Sequence, residues 1–310
     1  MAVAFLQPTL RDELVSCSNF MKRGFNTAFT FSTIFENGSN EIKFADYLNK
    51  QGEKIDLLRF SGGTLSHEYD ISSDGYGNKK NKYLNFCNPK NYIYNYVNFV
   101  KLLNYRPKTI YCLNIHQLFK DIKTLENCLL PLKELVRLLG DVYAVELGNE
   151  SFMYFSRNKN KYTYICNLLI NEIRKIAPNA LISAPTEGCN SNRGNEWNKT
   201  VNKLQIDAIS PHFYINDLAL LNQEFIGKTS ILENGVYTKM DFKVICTEFN
   251  FKFQIGNRKT ANKETPKNIV QMMDRKAVDM GFDAMLYHSL LQEPKFSYSK
   301  YILSTDYALR

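Results

Sequence analysis

The sequence predicts an α/β fold, a closed (β/α)8 TIM barrel. Three observations carry that expectation. Eight short apolar, β-rich runs are spaced along the chain; helical periodicities fill the gaps between them; and no glycine-rich phosphate turn of the GxGxxG or GxxxxGK[ST] kind follows the first run. A doubly wound open sheet is the competing arrangement, and such a turn would be its usual mark.

The eight runs, in order, are Gly24–Phe31, Lys54–Phe60, Thr109–Asn114, Val142–Leu147, Ala180–Ser183, Ile206–Ser210, Lys243–Thr247 and Ala284–Tyr287. Between them, Leu132, Leu135, Val136 and Leu139 line one helix face, and Pro131 suits a first helical turn. Tyr162, Ile165, Leu169, Ile173 and Ile176 line another, stopped by Pro178-Asn179. Ile269, Met272, Met273, Ala277 and Met280 follow Pro266 and end at Gly281. These stripes are core faces. The stretch Ser61–Pro89, rich in Gly, Asn, Ser and Lys, is an elaborated loop after the second strand. Strand and helix together use nearly all 310 residues, so a single catalytic barrel over 1–310 is expected.

Composition excludes other classes. Apolar residues make up 44% and charged residues 23%, which supports a packed core and excludes bulk disorder. No apolar run approaches the roughly 18 residues that cross a bilayer, so no membrane partner is expected. The N-terminus lacks a basic stretch followed by a long apolar one, so no secretory signal is expected. Seven cysteines, with no CxxC spacing and several inside apolar runs, read as small buried hydrophobes. His67, His116 and His288 have no ligand spacing among themselves, and neither a metal nor a cofactor is assigned.

In a barrel of this kind, chemistry sits at the C-terminal ends of the strands. The fourth run ends Leu147-Gly148-Asn149-Glu150, and the seventh ends Thr247-Glu248-Phe249-Asn250. Strands four and seven stand nearly half a circumference apart, so the two glutamates can face each other across the mouth. Paired carboxyls are what glycosidic cleavage requires: one protonates the leaving oxygen, and the other attacks the anomeric carbon or activates water. A separation of about 5–5.5 Å means retention, and a wider gap means inversion.

With those residues in view, the sequence resembles the retaining glycoside hydrolases of clan A. Gly148-Asn149-Glu150 and Thr247-Glu248 are similar to the clan's two signatures. Leu58-Arg59-Phe60-Ser61-Gly62-Gly63-Thr64 is similar to a stretch of the heparanase and β-glucuronidase relatives (family 79), and the xylosidase-like members (family 39) are also similar. Asp207-Ala-Ile-Ser-Pro-His212-Phe-Tyr214 resembles the clan's His-x-Tyr element. The resemblance implies Glu150 as acid/base and Glu248 as nucleophile. It implies Asn149 on the sugar 2-hydroxyl, Arg59 beneath Glu248, Tyr214 on Glu248 or the sugar, and His212 on the same wall. Asn114 and His116 are candidates for the pocket lining. The chain departs from the clan's pattern in three ways: Ser151 replaces a common proline, the eighth strand lacks a tryptophan, and no β-sandwich segment is expected within these 310 residues. Tyr287 or His288 would then be the aromatic platform.

The charge is 39 basic against 31 acidic residues, a net +8. Basic residues cluster at Lys79/Lys80/Lys82, Arg157/Lys159/Lys161 and Lys252/Arg258/Lys259/Lys263, all in expected post-strand loops, with Tyr76, Tyr83, Phe152, Tyr154, Phe249, Phe251 and Phe253 among them. Cations and aromatic faces together suit an acidic, uronic-acid-containing oligo- or polysaccharide. Nucleic acid ranks low because no nucleic-acid motif is present. The rival readings are a non-catalytic glycan-binding or virion/structural barrel, and an inverting or transglycosylating enzyme using the same acids.

Overall fold

The computed structural model describes residues 21–27, 41–51, 55–67, 69, 71, 89–215, 220–251 and 266–288. The basic clusters at 79–82 and 252–263, the aromatics Tyr76, Tyr83 and Phe253, and Cys17 and Cys87 lie outside these residues, as does the end of the first expected strand.

The barrel strands are β1 (Lys22–Asn26), β2 (Leu57–Phe60), β3 (Lys108–Cys112), β4 (Ala144–Glu146), β5 (Leu181–Ala184), β6 (Ala208–Ile209), β7 (His212–Ile215), β10 (Lys243–Phe251) and β11 (Ala284–His288). All pair in parallel, and β11 closes the ring by pairing with both β1 and β10. The eight expected runs thus form the eight staves of a (β/α)8 barrel. The sixth stave is split. Both β6 and β7 pair with β10, at Ala208/Ile209 and again from His212 onward, and Pro211, which has no N–H to give a ladder, lies in the break. Outside the barrel, β8 (Ser230–Glu233) and β9 (Val236–Lys239) form an antiparallel hairpin.

The helices are α1 (Glu41–Gln51), α2 (Pro89–Leu102), α3 (Ile115–Lys120), α4 (Leu125–Leu139), α5 (Ser151–Phe155), α6 (Lys159–Ile176), α7 (Asn192–Val201), α8 (Leu221–Thr229) and α9 (Pro266–Asp279). On α6 the expected stripe is buried at Tyr162, Ile165, Leu169 and Ile173. α4 differs from expectation: it starts at Leu125, so Pro131 lies inside it and not in its first turn. Burial of Cys128, Leu129, Leu132 and Leu135 against the barrel holds the helix through the donor that the proline lacks.

Alternation along the strands sorts side chains into two cores. Outward residues pack under the helices in one continuous cluster containing Phe25, Phe60, Tyr111, Val145, Ile182, Met285 and Tyr287. Inward residues Leu57, Ile110, Ala144, Ala208, Ile245, Ala284 and Leu286 form a separate apolar layer inside the barrel. One step toward the C-terminal ends, the same inward faces carry Asn26, Arg59, Cys112, Glu146, Ser183, Ser210 and Thr247, all fully buried. A polar storey therefore stands on an apolar floor.

Candidate active site

The polar storey is organised by Arg59. Its guanidinium is fully buried and touches two carboxylates. Nε donates to Glu146 Oε2 at 2.7 Å, and Nη1 donates to Glu248 Oε1 at 2.6 Å. Nη2 lies 2.6 Å from Glu146 Oε2 and donates to Asn149 Oδ1 at 2.9 Å. Burial opposes the Arg59 charge, but Glu146, Cys112 and Glu248 more than offset it and raise its pKa above the usual arginine value. Burial likewise works against ionised Glu146, yet Arg59 and His212 hold its carboxyl below the ordinary range.

Glu248 is gripped on both oxygens. Oε1 accepts from Arg59 and from Asn26 Nδ2 at 2.9 Å, and Oε2 accepts from the Tyr214 hydroxyl. Strict alternation would turn Glu248 away from the side of the barrel that Thr247 faces. A one-residue bulge resolves this: Cys246 pairs with Met285 and Phe249 with Tyr287, so three steps on β10 match two on β11. Cys246 and Phe249 both stay in the outer core, and Thr247 and Glu248 both reach the polar storey.

Glu150 arrives by a different device. After β4, Gly148 has φ +87°, and a Cβ there would lie 2.4 Å from Ile115 Cγ2 and 2.6 Å from Ser151 Oγ. Only glycine fits that turn. Glu150 itself is left-handed, with φ 44° and ψ 39°, an uncommon conformation for a glutamate and one that tertiary structure must hold in place. Ser151 donates from Oγ to Leu147 O at 3.2 Å and opens α5.

His212 links the two glutamates. Its Nδ1 lies 3.2 Å from Glu150 Oε1 and 3.6 Å from Glu248 Oε2. Its Nε2 lies 3.0 Å from Thr247 Oγ1, and that hydroxyl donates its only proton to Glu146 Oε1 at 2.9 Å. Thr247 can therefore only accept from Nε2, and Nδ1 faces carboxylates, so both ring nitrogens carry protons. Burial works against the imidazolium, but Glu248, Glu146 and Glu150 raise its pKa to about 9. The nearest ligand atoms of Glu150, His212 and Glu248 all lie within 4.8 Å of one another. Their donor types would suit a divalent cation, but the protonated His212 supplies positive charge at that place.

The sequence expectations divide cleanly. Arg59, Asn149, Glu150, His212, Tyr214 and Glu248 come together. Asn114 does not line the site as a polar wall: its side chain caps α3 by accepting from Gln117 N and donates to Tyr69 O. Tyr287 is no platform. It faces outward, 6% exposed, packs on Phe25 and Phe249 and donates its hydroxyl to Asp274 on α9. Its neighbour Leu286 holds the inward face. His288 stands opposite Asn26 in the β1–β11 register, and its side chain lies outside the described residues. His116 stacks on His67 with ring centroids 4.0 Å apart, and burial, His67 and Lys120 lower its pKa to about 3. His67 Nε2 donates to Asn149 O at 3.0 Å. Sequence reasoning missed Glu146, Thr247 and Asn26. Their available signal was a polar residue inside an otherwise apolar strand.

No protein-family profile matches the chain, and no curated protein matches it in sequence. Solved structures do match. The Ignisphaera aggregans GH53 catalytic domain aligns over 92% of this chain and 89% of its own, at TM-score 0.57 and 13% identity. An endo-β-1,4-mannanase from Thermotoga petrophila aligns over 91% and 70%, at 0.56 and 13%. What they share with this chain is the barrel. An exo-β-1,4-mannosidase from Opitutaceae bacterium strain TAV5 aligns over 94% of this chain at 0.54 and 12%; the match covers 55% of the mannosidase, so the chain spans about half that enzyme's length. By name these neighbours are a GH53 catalytic domain, a mannanase and a mannosidase, and at 12–13% identity the likeness shows the fold alone.

Proposed function

We propose that the chain is a retaining β-glycoside hydrolase. Glu248 attacks the anomeric carbon while Glu150 protonates the leaving oxygen, and Glu150 then activates water to release the sugar. The observation that carries this reading is the approach of the Glu150 and Glu248 oxygens to within 4.8 Å, on the retaining side of the geometric divide.

The charge arrangement supports the division of labour. Two cations, Arg59 and His212, match two carboxylates, Glu146 and Glu248. Glu150 is the third carboxyl and the most exposed of the three, at 26% of its side chain against 4% and 0%. It is the one placed to exchange a proton with substrate and solvent. Asn149 commits its carbonyl oxygen to Arg59, which leaves its NH2 to meet a sugar hydroxyl. Two of the structural neighbours are by name a β-1,4-mannosidase and a β-1,4-mannanase, which favours a β-linkage. The basic post-strand residues favour an acidic glycan.

The test is cleavage of a panel of neutral and uronic β-linked oligosaccharides, with the product anomer read by NMR at early time. Net retention is expected, and Glu150→Gln should lower kcat by about 10²–10⁴-fold. Net inversion, or full activity in Glu248→Gln, would refute the mechanism. Glycan binding without cleavage would favour a non-catalytic barrel.

A further inference from the structure

A second concavity opens on α5, the short helix that follows Glu150. It measures about 690 Å³ and is lined by Met153, Tyr154, Ser156, Arg157, Lys159, Asn192, Arg193 and Glu196. α5 connects it directly to the proposed acid, since Ser151–Phe155 begins at the residue after Glu150. The opposite wall is the first turn of α7, which follows β5.

The groove has a sharp chemical character. Three cations line it against one carboxylate. Lys159 and Glu196 pair at 3.3 Å, Lys199 joins Glu196 from behind at 3.5 Å, and Arg193 pairs with Glu187 at the rim. Arg157 is exposed, and no ion pair to it is found among the described residues. Lys161, the third member of that sequence cluster, is turned elsewhere: its Nζ donates to Phe119 O and sits over the Phe119 ring. Tyr154, half-exposed, presents a ring to the groove while standing edge-on to the stacked His67 and His116. Met153 is exposed beside it. A planar ring next to bidentate cation donors matches a sugar whose ring stacks and whose carboxylate or sulfate is gripped.

We infer that this groove is a subsite for an anionic sugar residue, held by Arg157 and Arg193 with Tyr154 as the stacking face. The inference rests on Glu150 being the general acid. The acid stands on the leaving-group side of the scissile bond, so a groove built on the helix that follows Glu150 is assigned to residues beyond that bond. The substrate is then a chain with at least one acidic residue on its leaving-group side, and a single neutral glycoside with a small aglycone leaves the groove empty.

A matched pair of probes isolates the charge. Oligosaccharides of a β-linked glucuronate glycan and the same oligosaccharides after carboxyl reduction have identical linkages and differ only in charge. Calorimetric binding to the full chain should be at least about tenfold tighter for the acid form, which corresponds to one charge-assisted contact. Arg157→Ala and Arg193→Ala should each remove most of that preference and leave binding of the reduced form unchanged; both side chains are exposed, so folding is not at stake. Lys175→Ala, at the far end of α6 from Lys159, should change neither affinity and so controls for overall charge. Equal affinity for the two probes, or an acid preference indifferent to both arginines, would overturn the groove assignment. Arginine-dependent binding without cleavage would uphold the anion groove and overturn the hydrolase reading that fixes its side.

Discussion

His212 makes the polar storey testable by pH alone. The imidazolium is held by Thr247 and by carboxylates, with a folded pKa of about 9 against an ordinary 6.5. A group whose folded pKa is raised contributes stability that is fully present below its unfolded pKa and is lost as pH rises through the folded one. Applying the linkage relation to 6.5 and 9, the protein should lose about 2 kcal/mol of unfolding free energy between about pH 6.5 and 8.5. Among the described residues, this group dominates the window. His67 and His116 have lowered pKa values, so their effect is centred below 6.5 and has the opposite sign. The buried thiols Cys112, Cys166 and Cys246 are pushed up from 9, so their loss of stability begins only at the upper edge of the window, where unfolded thiols ionise. Urea unfolding followed by the single tryptophan, Trp197, buried and bonded to Pro185 O, supplies the readout. His212→Gln should flatten the slope, and the His212 ring should show both N–H protons by NMR at pH 7. A stability that is flat or rising over the window in the wild type would refute the network as drawn.

Two further perturbations follow from the same geometry. Glu146→Gln breaks a buried charge pair without changing shape, and a loss of about 3–5 kcal/mol is expected by urea midpoint at neutral pH. The folded Glu146 pKa is lowered, so this gap should narrow as pH falls below the ordinary carboxylate range; a gap that persists in acid would count against the pairing. Gly148→Ala meets both a positive φ and two contacts under 3 Å, so it should cost about 2–4 kcal/mol and, by moving Glu150, roughly a hundredfold in activity; a folded, fully active variant would show that the turn does not set Glu150.

The barrel was legible because its signals are local. Each stave is a short apolar run, and the helices between carry a 3.6-residue stripe that survives even the interior Pro131. Glu150 and Glu248 were legible as acids at strand ends. Their presentation was not. The bulge at Cys246–Phe249 arises from pairing with β11 and β7, and nothing in the tetrapeptides themselves announces it or the left-handed Glu150. Glu146 is not legible in the sequence because a charged residue within an apolar strand gains its meaning only from its partner, and Arg59 lies 87 positions earlier. The Tyr287 expectation failed on parity: it was chosen for its aromatic ring, but period-two alternation from inward Leu286 already turns it to the helix layer.

The apolar floor beneath the polar storey has a consequence for proton traffic. Leu57, Ile110, Ala144, Ala208, Ile245, Ala284 and Leu286 are each fully buried and offer no hydrogen-bonding side chain, so they conduct nothing downward. Above them, Glu146, Thr247 and His212 form one unbroken line of donors and acceptors that ends at Glu150. That line joins the buried charges to the carboxyl at its mouth, and a sugar seated there, on the proposed reading, would cover that end of it.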